Sequence, residues 1–422
     1  MTDIVHENLP CGIEYGVVHL PQRHVAAFQF RMLAGACTDP DDKLGLARLV
    51  TETLDKGTQR RSGRELWDAF DAIGASYHNG TGRESVTMTC TVLPEHFEHA
   101  VALYAEMLRT PTFPEDSFSV NVDLARQELI ALQDDPQGLV DKLIGVPAYG
   151  PLLGRHPLGE NETLDNISRD DLSAHWSRLF RAGRMLVAVA GPIDPDTVRD
   201  VLQGQFSGFG SEGQKGRDGF KAEFHAGTTH HDKDLEQEHI GICWPGVQAT
   251  HDDFPVQQVM VGILAGGMSG RLFTEVREKQ GLVYWVNAWH ETPRGSGRVF
   301  LGASTTPDRC EKTYSTLLRE VNRLAEGIEQ DELERAITGI VASKETRGDS
   351  TRSRCSELAS DLFFYGRPIP SEEKVAKVQA VTVDDICRYL STYPRDKLCV
   401  MTLGPRPLTG SAEPLTEQAA GE

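Results

Sequence analysis

The chain has 422 residues, of which 39% are hydrophobic and 25% charged, a composition typical of a soluble globular protein with two or three domains. Its formal net charge is −19, and no cluster of Lys and Arg stands out, which excludes nucleic acid as an expected partner. No apolar run reaches the ~18–20 residues that a membrane span needs, and the first residues lack the basic and apolar regions of a secretory signal. We therefore expect a cytoplasmic protein with no membrane partner. The acidity itself has two interpretations, solubility or a chamber that attracts basic peptides.

Eight cysteines are scattered along the chain without a CxxC pair. Such spacing suits neither a zinc ribbon nor a disulfide framework. Several of these cysteines lie in apolar, strand-like stretches, as Cys90 does. The pattern predicts buried free thiols in a reducing compartment.

The first half begins with a mixture of strand and helix signals. Residues 86–92 alternate between apolar and polar or small side chains, which predicts a half-buried strand. Residues 95–108 have apolar side chains at helical spacing. This helix carries His96 and His99, which we interpret as surface residues because no further metal ligand lies nearby in the sequence.

Three segments of the first half recur in the second half at a nearly constant offset. Residues 381–386 follow residues 167–172 by 214 positions, and the strands that end in Gly191-Pro192 and Gly404-Pro405 are 213 positions apart. The helix start at residues 328–333 likewise matches that at 113–118, with an offset of 215. Such repetition predicts two homologous domains, each of mixed α and β structure, an α+β fold.

The predicted boundaries follow from these repeats and from composition. Residues 1–212 form the first domain, 213–235 a polar linker, 236–405 the second domain and 406–422 a flexible tail. A formal GxGxxG lies at residues 208–213. A dinucleotide-binding loop needs a helix after it, and a polar stretch follows here, so we assign this motif to the linker region.

Residues 262–284 are the most informative run of the chain. They predict a glycine hinge, a helix from about Arg271 that ends at Gly281, and a strand from Leu282 to Ala288. Such a turn lets Arg277 and Tyr284 point into one volume. Both side chains donate hydrogen bonds that suit a peptide carbonyl gaining negative charge.

This run resembles the signature of the pitrilysin/insulinase family of zinc metallopeptidases, and the resemblance extends from about residue 9 to 405. It implies an antiparallel sheet covered by helices in each half, with halves or subunits closing around a peptide as a clam shell. It also implies that Arg277 and Tyr284 bind and polarise the substrate, and that Gly266 and Gly267 contribute to substrate binding.

Family members usually carry Gly-x-Ala-His-x-x-Glu-His followed by Lys-Gly-Thr, and residues 45–58 keep this frame without its zinc ligands. Arg48 stands in place of the first histidine, Thr51 in place of the general base and Glu52 in place of the second histidine. The family's third ligand corresponds to Glu128. An arginine offers no lone pair and a threonine is no base near neutral pH, so we expect neither metal nor chemistry at this position.

Two further expectations concern the surroundings of this position. The family's Asn-Ala-x-Thr edge strand, which pairs with the substrate backbone, here begins with His78 and ends with Thr81; both are candidate substrate-binding residues, with a departure from the family at His78. We also predict that Arg48 takes roughly the volume of the lost metal and bridges towards Glu128, Glu52 or both.

Some members of the family are split pairs in which one subunit has the zinc motif and the other the Arg/Tyr pair. The resemblance therefore implies a non-metal-binding subunit of a heterodimeric zinc metallopeptidase that helps to enclose peptide substrates. Its cofactor, zinc, is expected in a homologous partner subunit and not in this chain. The alternatives are a catalytically inactive scaffold or assembly protein and a peptide-binding homodimer of the same fold.

Overall fold

The computed structural model of the chain describes residues 3–210 and 219–409. These residues form two compact units, and each unit takes segments from both halves of the sequence. Unit 1 combines the described residues of Met1–Ala131, Arg155–Gly219 and Thr346–Ile369. Unit 2 combines those of Leu132–Gly154, Phe220–Glu345 and Pro370–Glu422.

Unit 1 is built on a six-stranded sheet with the order β1-β2-β6-β3-β5-β4. All neighbours are antiparallel except β2 and β6, which are parallel. The predicted strand at residues 86–92 is β5, whose alternating side chains Val86, Met88, Cys90 and Val92 are buried in the core. The strands are β1 (Asp3–Asn8), β2 (Glu14–His19), β3 (Ala26–Met32), β4 (Ser76–Thr81), β5 (Val86–Val92) and β6 (Met185–Gly191).

Helices from the first half cover the core face of this sheet, where Phe28, Phe30, Phe97 and Tyr104 pack edge to face or stacked. These aromatic side chains are buried, and burial of this apolar surface is the main stabilising contribution to the unit. The helices of the first half are α1 (Leu46–Thr53), α2 (Gly63–Ala72), α3 (Phe97–Arg109), α4 (Glu115–Gln133), α5 (Pro136–Leu153), α6 (Asn161–Leu164), α7 (Arg169–Leu179) and α8 (Pro195–Phe206).

Unit 2 repeats this plan with a five-stranded sheet in the order β7-β11-β8-β10-β9. One pair, β7 and β11, is again parallel, and the other pairs are antiparallel. The strands are β7 (Gly227–Asp232), β8 (Glu238–Gly246), β9 (Val283–Glu291), β10 (Gly297–Thr305) and β11 (Cys399–Gly404); the helices are α9 (Phe254–Ala265), a π-helix (Phe273–Lys279), α10 (Cys310–Glu326), α11 (Gln330–Gly348), α12 (Thr351–Tyr365), α13 (Ser371–Gln379) and α14 (Val383–Thr392).

The predicted repeat is present in the structure, and the α+β fold with two homologous domains is confirmed. The matching segments begin equivalent helices with the same capping box, formed by Ser168 and Asp171 in α7 and by Thr382 and Asp385 in α14. Both sheets are mainly antiparallel, with one parallel pair each.

The two halves exchange one helix each. Helix α5, from the first half, packs on the sheet of unit 2, where Val140, Ile144 and Tyr149 join a cluster with Cys243 and Phe300. Helix α12, from the second half, packs on the sheet of unit 1. Its residues Cys355, Leu358, Ala359 and Leu362 cover Val18, Leu20, Ala27, Ala188 and Ala190. Both sheets are therefore packed against helices on two faces.

The predicted linker and tail contain ordered residues. Strand β7 lies inside the predicted linker, residues 213–235, and pairs with β11. Its side chains are mostly exposed, so the strand has no apolar alternation; backbone pairing and a 2.9 Å hydrogen bond between His230 Nδ1 and Thr402 Oγ1 hold it. At the start of the tail, the Arg406 guanidinium lies 2.5 Å from Asp308 Oδ1. Residues 211–218 and 410–422 lie outside the described residues.

The eight cysteines are free thiols, of which seven are buried and Cys387 is exposed. Burial of most of them agrees with the sequence-based expectation. Within residues 3–210 and 219–409, none of the helices has both the length and the apolar character needed to cross a membrane.

Candidate functional site

The Arg/Tyr motif of unit 2 lies on a π-helix followed by the edge strand β9. The π-helix ends at Lys279; Gly281, two residues later, has a φ of +58° that favours glycine, and the chain then enters β9 at Val283. Arg271, just before the π-helix, is fixed by hydrogen bonds from Nε and Nη2 to Glu332 at 2.8 and 2.7 Å. The predicted helix, turn and strand are therefore present, with π rather than α geometry in the helix, a form that often occurs at functional sites.

This turn brings Arg277 and Tyr284 together. The guanidinium carbon of Arg277 lies 5.2 Å from the ring centroid of Tyr284 and 4.9 Å from that of Phe273. In the part of the chain that the structure describes, the Arg277 guanidinium has these ring contacts and no hydrogen bond or ion pair. The Tyr284 side chain is 77% exposed. Both side chains are available as hydrogen-bond donors to a ligand.

The two predicted substrate-binding glycines lie in the loop between α9 and the π-helix. Gly266 follows the last turn of α9, and a Cβ there would lie 2.3 Å from the carbonyl oxygen of Gly262. Gly267 has a φ of +90° and open space where a side chain would be. Glycine is therefore required sterically at the first position and conformationally at the second, and Met268 beside them is 78% exposed.

In unit 1, the Arg48 side chain connects the two carboxylates predicted to face it. Its Nε donates to Glu52 Oε1 at 2.7 Å, and its Nη2 donates to Glu128 Oε1 at 2.6 Å. Arg48 is buried, with 9% exposure, on α1, whereas Glu128 lies on α4. The predicted bridge is confirmed, and it reaches both carboxylates.

The residue in the general-base position has a structural role. The Thr51 hydroxyl donates to the Ala47 carbonyl at 2.8 Å and accepts from the Thr81 hydroxyl at 2.9 Å. This contact joins α1 to the edge strand β4. Asn121 on α4 donates to the Thr53 hydroxyl at 2.9 Å and to the Glu52 carbonyl at 3.1 Å. The neutral hydroxyls of this network can position neighbouring groups but cannot accept a proton at neutral pH.

A concave pocket of about 440 Å³ lies at this position in unit 1. Thr51 lines it from α1, and Thr81, which contacts Thr51, and His78 line it from β4. No local sequence pattern marks His156, Pro157 and Leu158, which complete the wall from the loop that follows α5; only their position in the fold brings them here. The other lining residues are Arg48, Glu52, Asn79, Gly80 and Glu128.

This donor set does not fit a zinc ion. The Arg48 guanidinium lies between the two carboxylates and supplies a fixed positive charge where a metal would need lone pairs. Burial raises the pKa of Glu52, and the nearby Arg48 charge opposes that rise. Across the described ranges, no three His, Cys, Asp or Glu side chains are grouped so that they could hold a metal ion.

Comparisons with known proteins point to one family. The family model of insulinase (peptidase family M16) matches residues 17–157, and that of the peptidase M16 inactive domain matches residues 166–340. An uncharacterized zinc protease of Rickettsia bellii is 26% identical over 401 residues, covering 94% of this chain and 97% of that protein. One from Bacillus subtilis is 28% identical over 346 residues, covering 81% and 84%.

Solved structures show the same fold. A structure of a peptidase M16 inactive domain from Pseudomonas fluorescens matches with a TM-score of 0.89 at 21% identity, covering 97% of this chain and all of the other. A protease from Helicobacter pylori matches with a TM-score of 0.86 at 17% identity, covering 96% and 100%.

Proposed function

The chain belongs to the insulinase family of peptidases, family M16, and we propose that within this family it is the non-metal-binding subunit of a heterodimeric zinc metallopeptidase. In this proposal the chain encloses and binds peptide substrates, and a homologous partner subunit holds the zinc. The observation that carries the proposal is the contrast between the two motifs. On α1, where the family's zinc ligands would be, Arg48 bridges Glu52 and Glu128. Arg277 and Tyr284, in contrast, lie together and have free hydrogen-bond donors.

The proposed role of this chain is electrostatic. Zinc in the partner subunit would supply the activated water, as zinc does in metallopeptidases. Arg277 and Tyr284 would donate hydrogen bonds to the peptide carbonyl oxygen as that oxygen gains negative charge. Donors held in place before the reaction stabilise such charge without the cost of reorientation. The contact of Arg277 with the rings of Phe273 and Tyr284 supplies that orientation.

The glycine loop, His78 and Thr81 are proposed to contact the peptide. Gly266 and Gly267 leave backbone uncovered in the exposed loop that leads into the π-helix, which suits close approach of an extended peptide. Strand β4 is an edge strand and is thus able to accept a further strand, although the Thr81 hydroxyl is engaged by Thr51. A cytoplasmic location belongs to the same proposal and is supported by the free thiols.

The test is reconstitution with a homologous chain that carries His-x-x-Glu-His. The purified chain alone, after zinc loading, is expected to bind no stoichiometric zinc and to cleave none of a panel of fluorogenic peptides. The mixture is expected to cleave them in a chelator-sensitive manner. Stoichiometric zinc together with cleavage by the chain alone would contradict the proposal. A stable complex without turnover would instead favour the scaffold, and tight peptide binding by a homodimer would favour the binding protein.

A further inference from the structure

Unit 2 contains a cavity of about 220 Å³ that no part of the Arg/Tyr motif explains. One wall is a single face of helix α5, with Val140 and Ile144 at the depth of the cavity and Gln137 and Asp141 at its exposed rim. The opposite wall is formed by alternate residues of the edge strand β9. These are Trp285, Asn287 and Trp289, and the Trp289 ring stacks on Phe300 at 5.5 Å with an angle of 9° between the planes.

The floor of the cavity is a pair of glycines. Gly241 on β8 and Gly302 on β10 are directly opposite each other in the sheet. Neither has a positive φ, so the backbone conformation does not require glycine. A Cβ on Gly241 would lie 2.6 Å from Val140 Cγ1, and one on Gly302 would lie 2.7 Å from Trp285 Cη2. Glycine inside a strand weakens it and often marks a site of close approach. Here the pair lets α5 and the Trp285 ring lie close to the sheet and form the cavity walls.

The corresponding face of unit 1 has a different character. On β5, the side chains that alternate with the buried ones are Thr87, Thr89 and Thr91, which are half-buried and carry hydroxyls. The aromatic cavity is therefore a property of unit 2 and not of the repeated fold.

The chemistry of the lining identifies the kind of ligand. Three aromatic and five aliphatic side chains suit an apolar group, and no Lys or Arg lines the cavity among the described residues. Burial lowers the pKa of His239, and its Nδ1 lies 2.9 Å from the Ser304 hydroxyl, so this wall is neutral. The mouth carries the polar side chains of Gln137 and Asp141. An apolar depth with a polar mouth is complementary to an apolar side chain carried on a peptide backbone.

We propose that this cavity is a specificity pocket for an aromatic or long aliphatic peptide side chain. The inference rests on the proposed function, because that function makes the ligand a peptide. Trp285 follows Tyr284 directly in β9, so the cavity begins one residue beyond the Arg/Tyr pair along the strand. Successive side chains of a strand point to opposite faces, and β9 is an edge strand, so a peptide held at Tyr284 would reach the cavity around the free edge of β9.

The experiment uses the full chain without a partner and measures fluorescence anisotropy of labelled nonapeptides with blocked ends. The probe has one Phe in a Gly/Ser background, and the matched peptide replaces Phe with Ser. Burying a Phe side chain in an apolar pocket typically increases the affinity of a peptide by about ten- to a hundredfold. We expect the Phe peptide to bind at least about tenfold more tightly than the Ser peptide; equal affinities would overturn the proposal.

Variants then locate the binding. Trp285→Ala is expected to lower the affinity for the Phe peptide by about tenfold. Trp67 is a half-exposed tryptophan of unit 1, and Trp67→Ala is expected to leave that affinity unchanged. Gly302→Ala, which displaces the Trp285 ring without removing it, tests the cavity if Trp285→Ala is unstable.

A crosslinking measurement decides the position independently of affinity. A benzoylphenylalanine in place of the Phe is expected to attach to residues 137–144 or 285–303, and attachment only elsewhere would refute the pocket. Because binding is measured on this chain alone, absence of turnover with a partner would leave the pocket intact. Equal affinities for the Phe and Ser peptides would overturn the pocket but would not contradict peptide cleavage by the reconstituted pair.

Discussion

Arg48 in unit 1 and Arg277 in unit 2 show two uses of the same side chain. Arg48 is buried and donates to two carboxylates, at 2.7 and 2.6 Å. Arg277 is half-buried and contacts only the faces of two aromatic rings among the described residues. The first guanidinium has its charge balanced inside the protein. The second makes no hydrogen bond or ion pair among the described residues, so its donors are unused there.

This difference separates an arginine whose donors are satisfied within the protein from one whose donors are unused among the described residues. A buried charge requires partners, and removing one partner leaves the others desolvated and unpaired. A guanidinium against aromatic rings retains its charge and orientation while its donors stay free. The comparison therefore predicts that substitutions at Arg48 change stability and metal binding, whereas substitutions at Arg277 change turnover.

The largest expected effect is recovery of a metal site in unit 1. The double variant Arg48→His and Glu52→His supplies two histidines at i and i+4 on α1, with Glu128 on α4 as a third ligand. We expect it to retain one zinc per chain through gel filtration, measured by metal analysis. The single variant Arg48→His should remain free of stoichiometric zinc. Zinc retention by the single variant, or none by the double variant, would show that Arg48 does not stand in the metal position.

The next effect concerns turnover by the assembled pair. Removing one preorganised donor to a developing oxyanion typically lowers the rate by about 10²–10³-fold. Arg277→Ala and Tyr284→Phe should each reduce kcat/KM by this factor without preventing assembly. Steady-state kinetics and gel filtration of the complex test both parts. Normal turnover would make the pair structural and strengthen the scaffold alternative.

A third prediction concerns the Arg48 bridge as a stabilising contact. Arg48→Met removes the charge that lies between Glu52 and Glu128, so the unfolding free energy should fall by roughly 1–3 kcal/mol. The matched control is Arg64→Met, which breaks an exposed i,i+4 pair with Asp68 and should cost less than about 0.5 kcal/mol. Chemical denaturation measures both. Equal losses would mean that the buried position of Arg48 has no energetic consequence.

The smallest effect compares two equivalent helix positions and depends on pH. His175 on α7 is buried, neither ring nitrogen has a hydrogen-bond partner, and burial lowers its pKa to about 3. The equivalent Tyr389 on α14 donates to Gln257 Oε1 at 2.8 Å. Unfolded histidine has a pKa near 6.5, so the unfolded state binds the proton first and stability is lost as pH falls below about 6.5.

His175→Leu should remove this sensitivity. Between pH 7 and 5 the wild-type unfolding free energy should fall by up to about 2 kcal/mol more than that of the variant. Denaturant titrations at the two pH values test the difference, and Tyr389→Phe, which cannot titrate, is the control. Parallel pH profiles for wild type and His175→Leu would contradict a neutral buried histidine.

Several features could be predicted from sequence because local chemistry determines them. The capping boxes at Ser168 and Thr382 mark the repeat directly, since the hydroxyl and the acidic residue three positions later satisfy the same free N–H groups. The bridge from Arg48 was predictable because residues 48 and 52 share one helix face and Glu128 could be placed opposite them by the family resemblance.

Other features depend on contacts that no local pattern encodes. The exchange of α5 and α12 was not predicted, because an amphipathic helix shows which face is buried but not which sheet covers it. The sequence of β7 predicts a linker because it has no apolar alternation, and only pairing with β11 makes it a strand. The cavity of unit 2 depends on Gly241 and Gly302, which are 61 positions apart in sequence and become partners only in the sheet.

The exchanged helix α12 has a consequence for synthesis. The last strand of the unit 1 sheet ends at Gly191, but the helix that covers its second face ends at Tyr365. Translation proceeds at roughly 5–20 residues per second, so about 10–35 s pass between synthesis of the last strand and synthesis of helix α12. During this time Val18, Ala27 and Ala188, which α12 covers in the folded protein, are exposed to solvent and can contact other apolar surfaces. Nascent chains of this protein therefore need protection late in translation, and messages truncated before codon 351 should yield aggregated product.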